Sequence, residues 1–356
     1  MDVLVAAFLA FLGGLVGALG AEVARRMNRK HISAAGALAV TVIFLGLALR
    51  NVHIRGLWEV LSSARWRWLP LMLGIIVLDI AIRAWRWRIL LSRAATPSIG
   101  LLFRLEAVGL AVNNVLFMRL GEVARAFLAS RELNIPLMTA LCSVAVERAL
   151  DMAALLALFC LASANSPFVP VSIRQGVFLV FLGMLLALSI LIFSECRLGP
   201  GGSWEKQLRR WPKIHHIISQ LAAGAAILRE PRWCATAVFL SLILWACDAV
   251  LYWAGALALG LGGAVTYQRS VLVLSWAGAG AALPAAPGAF GTLEAMIKSL
   301  LVDMGVSPHE ALAYAFFCHV IMYLVVTFLG LAFLYRIGLS LGELHSAINK
   351  HRQTVP

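Results

Sequence analysis

The amino-acid sequence predicts an all-α membrane protein, a polytopic bundle of transmembrane helices. Three observations support this fold class. Hydrophobic residues make up 62% of the chain and charged residues 13%, against about 45–50% and 25% in a typical soluble domain. The apolar residues form long runs, and about 20 such residues are enough to cross a bilayer. The Lys and Arg residues gather between those runs, which is the pattern of cytoplasmic loops and explains the net charge of +13 without nucleic acid.

The N-terminal part of the chain contains two apolar runs and one amphipathic stretch. Val3–Val23 is followed by a basic cluster at 25–30 and preceded by no Lys or Arg. It therefore predicts a crossing whose N-terminus is outside, not a secretory signal. Ser33–Leu49 then crosses outward. Asn51–Trp68 mixes Arg and Glu with Leu and Trp, which predicts an amphipathic segment at the outer headgroups.

Five further runs predict crossings that alternate in direction, for about seven in all: Leu69–Ala84, Leu137–Ser163, Gly176–Phe193, Cys234–Leu259 and Glu310–Tyr335. The polar stretch Glu195–Trp233 between them is basic and belongs in the cytoplasm, where Ile214–Leu228 is expected to lie on the membrane surface. The C-terminus is cytoplasmic. The chain divides into an extra span with a basic linker (1–32), a membrane domain (33–338) and a tail (339–356).

Two segments are expected to be broken rather than continuous. Leu101–Leu128 carries seven charged or amide residues and has basic flanks, so it predicts a re-entrant helical hairpin that enters from the inside. Tyr267–Leu301 is interrupted by the proline- and glycine-rich run Leu283–Gly291 and predicts a second hairpin that enters from outside. Oppositely oriented broken helices are typical of inverted-repeat transporters, although no obvious sequence repeat is visible.

The first polar motif runs from Asn113 to Arg125. Arg119, Glu122 and Arg125 are spaced three apart, so they can form an ion network along one helix face. The guanidinium fork of arginine suits a phosphate. The alternative is a purely structural network that closes the hairpin.

The second motif, Glu147-Arg148-Ala149-Leu150-Asp151, lies inside a predicted crossing helix. Glu147 and Asp151 share a face at i,i+4, and Arg148 reaches Asp151 at i,i+3. Each charge at membrane depth costs about 2.5–3.5 kcal/mol on insertion scales, so these residues need a partner or a wet cavity. They either join helices through a salt bridge, position substrate-binding arginines or steer protons.

The third motif is the break around Pro287, Gly288 and Gly291. It frees backbone groups that must be satisfied by protein or water. The half-helix that follows has an N-terminal dipole that favours an anion. Glu294 in its first turn is expected either to cap the helix or to compete with that anion. The alternative is a packed kink.

Other polar residues have simpler interpretations. Asp79 and Arg83 are expected to form a structural pair, and Arg86 and Arg88 to extend to the cytoplasmic interface. His319 is either a satisfied core histidine or a proton carrier. The Cys and His residues show no metal-ligand spacing, and no Ser/His/Asp arrangement is present. The sequence therefore predicts no metal, no cofactor and no catalytic residue.

The three motifs together resemble the lysylphosphatidylglycerol synthase transmembrane-region family, also called flippase-like. Members of that family carry sequences similar to N-x-x-P-x-R-x-G-E-x-x-R, E-R-x-x-D and P-G-x-x-G-x-x-E, in this order. Here the motifs are Asn114 to Arg125, Glu147 to Asp151 and Pro287 to Glu294, and the agreement extends across roughly Ser33–Gly338.

There are three departures from that pattern. Phe117 stands where the family usually has proline, His319 stands where arginine is common, and Val3–Val23 is extra relative to many members. The resemblance implies a lipid-translocating domain. Fused members carry a soluble aminoacyl-transferase domain that is not expected here, so the chain resembles a stand-alone member.

The expected function is a lipid transporter of a bacterial cytoplasmic membrane that translocates an anionic or isoprenoid lipid. An accessory subunit of a lipid or envelope pathway, with a protein partner at 195–233, and a lipid-headgroup transferase are the alternatives. A homo-oligomer is also possible. The residues expected to bind substrate are Asn114, Arg119, Glu122, Arg125, Glu147, Arg148, Asp151, Pro287, Gly288, Gly291 and Glu294.

Overall fold

The structure, a computed structural model, describes residues 42–50, 52–116, 120–198, 224–283 and 287–336. Within these ranges every regular element is a helix, and residues 42–49 are helical as well. The helices that follow are α1 Ile54–Ser62, α2 Leu69–Leu91, α3 Ile99–Val115, α4 Gly121–Leu133, α5 Leu137–Ser163, α6 Val171–Leu198, α7 Pro231–Ala258, α8 Tyr267–Ala282, α9 Thr292–Asp303 and α10 Pro308–Arg336. Short 3-10 turns at Trp66–Trp68, Ala226–Arg229 and Pro287–Ala289 join some of them.

Four segments are long and apolar enough to cross a membrane: Trp66–Leu91, Val171–Ile190, Pro231–Ala258 and Pro308–Arg336. The helix α5 has 27 residues, about 40 Å at 1.5 Å per residue, but it carries three charges near its centre. The prediction of an all-helical membrane protein is confirmed. The predicted span Val3–Val23 and most of the loop Glu195–Trp233 lie outside the described residues, and the count of about seven crossings stays a prediction.

Both predicted breaks divide a polar or glycine-rich segment into two helices. In the first, α3 begins after Ser98, whose hydroxyl accepts a hydrogen bond from the Leu101 amide at 3.2 Å. In the second, α8 begins after Thr266, whose hydroxyl accepts from the Arg269 amide at 3.5 Å. Capping of this kind satisfies amides that have no partner within the helix. The sequence thus located both breaks, while their entry into a membrane is not tested by the helices alone.

The order of elements repeats along the chain, which the sequence did not reveal. A long helix, a short helix, a break, a second short helix and another long helix occur first as α2 to α5 and again as α7 to α10. The starts of α4 and α9, Gly121 and Thr292, are 171 positions apart, and so are the starts of α5 and α10, Leu137 and Pro308. The two units therefore share one register without insertions in this part.

The two units interlock rather than stand side by side. The broken arm α3 packs along α10 of the second unit, and α8 packs against α5 of the first, while α2 lies against α7. Within each unit the two arms of the hairpin pack on each other, α3 on α4 and α8 on α9. Because one arm of each hairpin packs against a helix of the other unit, both hairpins lie at the interface between the units.

Two separate apolar clusters form the core. One includes Met72 of α2, Leu155 of α5 and Ala254 of α7, and the other includes Trp87 of α2 and Leu244 of α7. On α2, α5 and α7 the two clusters follow each other along the helix, and charged residues lie between them. The core therefore has an ionic layer about halfway along the bundle.

Glycines allow the arms of each hairpin to approach closely. A Cβ built on Gly121 would collide with the carbonyl oxygen of Gly109 and lie 2.6 Å from Asn113 Oδ1. In the second hairpin a Cβ built on Gly280 would lie 2.8 Å from the carbonyl oxygen of Thr292. Gly280 and Thr292 stand 171 positions after Gly109 and Gly121, so the same contact recurs in both units.

We expect Gly121→Ala to destabilise the protein by about 1–3 kcal/mol, because the added methyl group must separate α3 from α4. The control is Gly100→Ala on α3, where a Cβ would meet nothing within 4 Å. The measurement is the thermal unfolding midpoint of both variants in the same detergent. Equal midpoints for Gly121→Ala and wild type would show that the contact between the arms is not tight.

Candidate functional site

The ionic layer consists of four arginines and five carboxylates from α2, α3, α4, α5 and α7. We call it the charge cluster, and its members are Asp79, Arg83, Arg86, Glu106, Arg125, Glu147, Arg148, Asp151 and Asp248. Asp79 and Glu147 are each ten residues after the start of their helix, which is about 15 Å along the axis. These charges are thus far from both ends of the bundle and depend on one another.

Glu147 is the centre of the charge cluster and is fully buried. Its Oε1 atom lies 2.9 Å from Arg125 Nη2, 2.9 Å from Arg148 Nη2 and 3.1 Å from Arg86 Nη2. These arginines come from α4, α5 and α2. One carboxylate therefore joins three helices, as one of the predicted alternatives for this motif required.

Asp151 is one turn further along α5 and binds the α2 arginines. It pairs with Arg86 Nη1 and lies 3.5 Å from Arg83 Nη1, and Trp245 Nε1 of α7 donates to it at 3.3 Å. The predicted i,i+3 pair with Arg148 is present at 3.6 Å. The second motif is therefore one face of a helix that anchors α2 and α7.

The prediction that Arg86 extends to the membrane interface is wrong. Its side chain is fully buried, and besides Glu147 and Asp151 it donates to the Ser241 hydroxyl at 2.7 Å. The reason is helical spacing, since residues 79, 83 and 86 follow one face of α2, and this face points toward α5 and α7. Arg88 is exposed, and its predicted position at the cytoplasmic interface stays a prediction. The predicted pair of Asp79 with Arg83 is also present at 2.8 Å.

Arg125 forms its ion pairs across helices rather than along its own helix. It pairs with Glu106 of α3 and with Glu147 of α5, and its guanidinium lies 4.9 Å from the Trp87 ring centroid. Glu122, the expected partner at i−3, instead accepts a hydrogen bond from Asn113 Nδ2 at 3.2 Å. Of the local network predicted from the spacing, the Glu122–Arg125 pair is thus replaced by tertiary pairs, while the Arg119–Glu122 pair stays a prediction.

The remaining residues of the first motif are divided between two surroundings. Asn114 Nδ2 donates to Thr327 Oγ1 of α10 at 2.9 Å, so this amide ties the hairpin to the second unit. Asn113 instead faces α4 and accepts from the Gly121 amide at 2.7 Å. Arg119 lies outside the described residues, and its predicted role stays a prediction.

A small crevice opens beside the charge cluster between α3, α4 and α5. This polar crevice has about 180 Å³ of empty space, including the part open to the surroundings, and is lined by Glu106, Gly109, Leu110, Asn113, Gly121, Glu122, Arg125 and Arg148. Arg148 is the least buried arginine of the charge cluster, with 38% of its side chain exposed. It is thus the cluster arginine most accessible to a ligand.

A second opening, which we call the apolar cleft, lies between α5, α6, α8 and α9. It encloses about 580 Å³, open to the surroundings, and its lining is almost entirely hydrophobic: Met152, Leu155, Leu156, Phe159, Ile173, Val177, Ser275, Trp276, Ala279 and Met296. Met152 is four residues after Arg148 on α5, so the two side chains share a helix face. The polar crevice and the apolar cleft are therefore neighbours along α5.

The second break has its own set of contacts. Gly288 and Gly291 have φ angles of 74° and 86°, a region that favours glycine. The Gly291 amide donates to Glu294 Oε2 at 2.7 Å, and Glu294 Oε1 lies 2.6 Å from His319 Nδ1. Pro287 begins the 3-10 turn between the arms. Of the two roles expected for Glu294, the structure shows the cap.

His319 is buried in the core and has a hydrogen-bonding partner in Glu294. Its ring also lies 4.5 Å from the Phe290 ring centroid at an interplanar angle of 30°. The third motif is therefore a separate polar centre at the second hairpin. In the described ranges, no group of three His, Cys, Asp or Glu residues is arranged to hold a metal ion.

Five members of the charge cluster were not predicted from the sequence to bind substrate: Asp79 and Arg83 were interpreted as a structural pair, and Arg86, Glu106 and Asp248 were not assigned to the site. Arg86 could have been found from its spacing to Asp79 and Arg83. Asp248 is a single charge inside an apolar run, and Glu106 was counted only among the seven charged or amide residues of Leu101–Leu128. The cost of a charge at membrane depth is the signal that should have marked both. Asn113 was quoted in the motif but passed over in favour of Asn114, because sequence alone does not show which of two adjacent amides faces the crevice.

Comparison with known proteins places these features in a family. A profile of the family described as "Lysylphosphatidylglycerol synthase TM region" matches residues 34–330. A UPF0104 membrane protein of Methanothermobacter thermautotrophicus is 24% identical over 332 residues, which cover 86% of this chain and 93% of that protein. No solved structure matches the chain. Because the profile match spans most of the chain and includes all three motifs, the protein belongs to the lysylphosphatidylglycerol synthase TM region family.

Proposed function

We propose that the protein translocates a membrane lipid between the two leaflets of the bilayer. The observation that carries this proposal is the arrangement on α5, where Arg148 faces the polar crevice and Met152, one turn further, lines the apolar cleft. A lipid has the same sequence of parts, a charged headgroup joined to hydrocarbon chains. The two neighbouring openings together match an amphipathic ligand better than either would alone.

The apolar cleft has one wall that supports access from the membrane. This wall is α6, and only 6% of the residues in its apolar stretch are buried. Side chains such as Phe178, Leu182 and Leu186 are exposed, as expected for a helix that faces lipid. A chain in the cleft would therefore remain close to the hydrocarbon region while the headgroup moves past α5.

The charge cluster supports the polar half of the proposed path. Charges at membrane depth are rare and usually mark a substrate or ion pathway. Here Glu147 and Asp151 bind Arg148, which is partly exposed and lines the polar crevice. A guanidinium held in this way offers hydrogen bonds to a phosphate without a large loss of side-chain entropy. The substrate classes we propose are accordingly anionic and isoprenoid lipids that bear phosphate.

The repeated order of elements supports a transporter rather than an enzyme. Transporters with two related units bind substrate at the unit interface, near broken helices. In the proposed topology the α3–α4 and α8–α9 hairpins enter from opposite faces of a bacterial cytoplasmic membrane. About seven helices cross it, the N-terminus is outside and the C-terminus is cytoplasmic.

The test is leaflet exchange in reconstituted vesicles, with fluorescent phosphatidylglycerol labelled on an acyl chain and a membrane-impermeant quencher. We expect Arg148→Ala to slow exchange about tenfold, because a charge-assisted hydrogen bond contributes about 1.5–3 kcal/mol. Glu147 keeps two other arginines in this variant, so the fold should survive. Arg131→Ala, an exposed position on α4, is the matched control.

The outcome also separates the alternatives. Exchange in wild-type vesicles equal to that in protein-free vesicles would overturn the proposal. If a stoichiometric partner protein then co-purified, an accessory subunit would replace it. A covalently altered lipid in the same vesicles would instead indicate a headgroup transferase.

A further inference from the structure

A buried carboxylate–imidazole pair joins the second hairpin to α10, and the proposed path of the lipid does not use it. Glu294 of α9 is 2% exposed and His319 of α10 is 3% exposed. Glu294 Oε1 lies 2.6 Å from His319 Nδ1, so a proton must lie between these atoms, because two unprotonated acceptors would repel each other at this distance. With this shared proton alone the pair is negatively charged, and a second proton on Nε2 makes it neutral overall.

Both partners of the pair are attached to the break between the arms of the second hairpin. Glu294 Oε2 accepts a hydrogen bond from the Gly291 amide at 2.7 Å, and the ring centroids of His319 and Phe290 are 4.5 Å apart. A protonated imidazole binds a carboxylate more strongly than a neutral one does, and it gains a cation–π contact with the aromatic ring. Uptake of a proton by His319 therefore strengthens the contact of α10 with the break, and release of the proton weakens it.

The pair is also connected with the first hairpin and with the apolar cleft. Tyr323 is one turn after His319 on α10, and its hydroxyl donates to the carbonyl oxygen of Asn114 in α3 at 3.5 Å. On α9, Met296 is two residues after Glu294 and lines the apolar cleft. A change at the break would therefore act on both hairpins and on the wall of the cleft.

The corresponding position of the first unit carries a cation that keeps its proton. Arg148 and His319 are the twelfth residues of α5 and α10, and each binds a glutamate, Glu147 in the first unit and Glu294 in the second. A guanidinium stays charged at every physiological pH, whereas an imidazole gains and loses a proton near neutrality. The two units thus place a fixed cation and a titratable one at equivalent positions.

Other ionisable groups surround the pair on the helices that pack on α9 and α10. Lys298, one turn after Glu294, donates to the carbonyl oxygens of Ala48 and Arg50 at 2.8 and 2.5 Å. In the part of the chain that the structure describes, the groups beside the pair are neutral phenols and a thiol, those of Tyr252, Tyr314, Tyr323 and Cys318. The charges of α1, α2, α3, α7 and α8 have other partners, as do Arg55 with Glu59, Arg104 with Gly100, Arg269 with Ala264, and Arg83, Glu106 and Asp248 in the charge cluster.

We infer that the Glu294–His319 pair is a proton-binding site and that its proton crosses the membrane together with an anionic lipid headgroup. This inference rests on the proposed function and specifies what drives it. His319 Nε2 takes up one proton on one side of the membrane and releases it on the other. The uptake removes a negative charge that would oppose the entry of an anion into an apolar interior. Because both side chains are buried, a proton reaches them only when the break opens, and this requirement couples the proton to the movement of α9.

The experiment uses vesicles that contain the full chain and acyl-labelled phosphatidylglycerol, with an interior one pH unit more acidic than the exterior. Potassium and valinomycin hold the membrane potential at zero. For the wild type we expect the labelled lipid to accumulate about tenfold in the outer leaflet, because one proton per lipid transmits a tenfold difference in proton activity. An ionophore that exchanges protons for potassium should abolish the accumulation, and protein-free vesicles should show none.

Two substitutions at His319 separate proton uptake from hydrogen bonding. Asparagine can still donate to Glu294 but takes up no proton, and arginine supplies a fixed cation like that of Arg148. We expect His319→Asn and His319→Arg to exchange lipid without a gradient and to lose the tenfold accumulation. His309→Asn is the matched control, because it makes the same change at a partly exposed position in the first turn of α10, and it should keep the accumulation.

The results that oppose the proton site differ from those that oppose lipid transport. Wild-type protein that exchanges lipid but shows no accumulation under the gradient overturns the proton site and leaves lipid transport in place. Accumulation that persists in either His319 variant assigns the proton to another group and likewise overturns it. Loss of all exchange in both variants, while the wild type still responds to the gradient, gives the pair a structural role and overturns its assignment. Absence of exchange in the wild type overturns lipid transport itself.

Discussion

Glu147→Gln is expected to destabilise the protein by about 3–5 kcal/mol, the usual effect of removing one partner from a buried ion pair. The substitution keeps the size of the side chain but removes the charge that Arg86, Arg125 and Arg148 share. Three helices lose a common partner at once. We therefore expect a lower unfolding midpoint and much slower lipid exchange.

The measurement is thermal unfolding in detergent, followed by intrinsic fluorescence and by the loss of monodisperse protein on size exclusion. Glu132→Gln is the matched control, because it makes the same chemical change at an exposed position and should alter stability by less than about 0.5 kcal/mol. If both variants unfold at one temperature, Glu147 is not the centre of the cluster.

A double variant can assign the effect to the ion pair. In Glu147→Gln with Arg125→Met, one of the arginines left without its partner is also removed. The combined loss should be smaller than the sum of the two single losses, because the residues are in direct contact. Additive losses would mean that Glu147 and Arg125 stabilise the bundle independently.

Arg86→Ala is the second change for which we expect a large effect, again about 3–5 kcal/mol. It leaves Asp151 without its closest counter-ion and removes the donor to Ser241. The side chain is fully buried, so the carboxylates that lose it stay removed from bulk water. The folded protein should be less stable and obtained in lower yield.

Arg88→Ala is the control for this prediction, since Arg88 is two residues away on α2 and exposed. An exposed arginine contributes about 0–1 kcal/mol. Arg86→Lys should recover only part of the loss, because a single ammonium cannot replace two guanidinium nitrogens that bind Glu147 and Asp151 separately. Equal unfolding midpoints for Arg86→Ala and Arg88→Ala would contradict the burial of Arg86 and support the earlier prediction that it lies at the membrane interface.

The sequence predicted most of the architecture because membrane helices have a strong local signal. The breaks near Leu116 and Leu283 were also predicted, since amide-rich and proline- or glycine-rich runs interrupt apolar ones. The repeat between the two units was not, because their interiors differ. Where the first unit has Arg148, the second has His319, 171 positions later, and only the placement of the helices reveals that the two positions correspond.

Helical spacing in the sequence did not predict all of the ion pairs. The i,i+3 and i,i+4 intervals correctly predicted Asp79–Arg83 and Arg148–Asp151, which are partners within one helix. They failed for Arg125 and Arg86, whose partners come from other helices. In an apolar interior a charge is stabilised by whichever opposite charge the packing brings closest, and sequence distance has no part in that.

By itself, the sequence determined that the chain is a helical membrane protein, that two of its segments are broken, and that three polar motifs lie inside it. Composition and the length of apolar runs indicate the membrane helices, because a bilayer requires hydrophobic segments whose backbone groups are satisfied internally. Polar, proline and glycine residues inside those runs then mark the breaks and the motifs. Only the tertiary structure decided that Glu147 joins three helices, that Arg86 is buried, and that Glu122 faces a crevice beside Arg148. Those features depend on contacts between residues distant in sequence, and burial in an apolar core makes each of them energetically large.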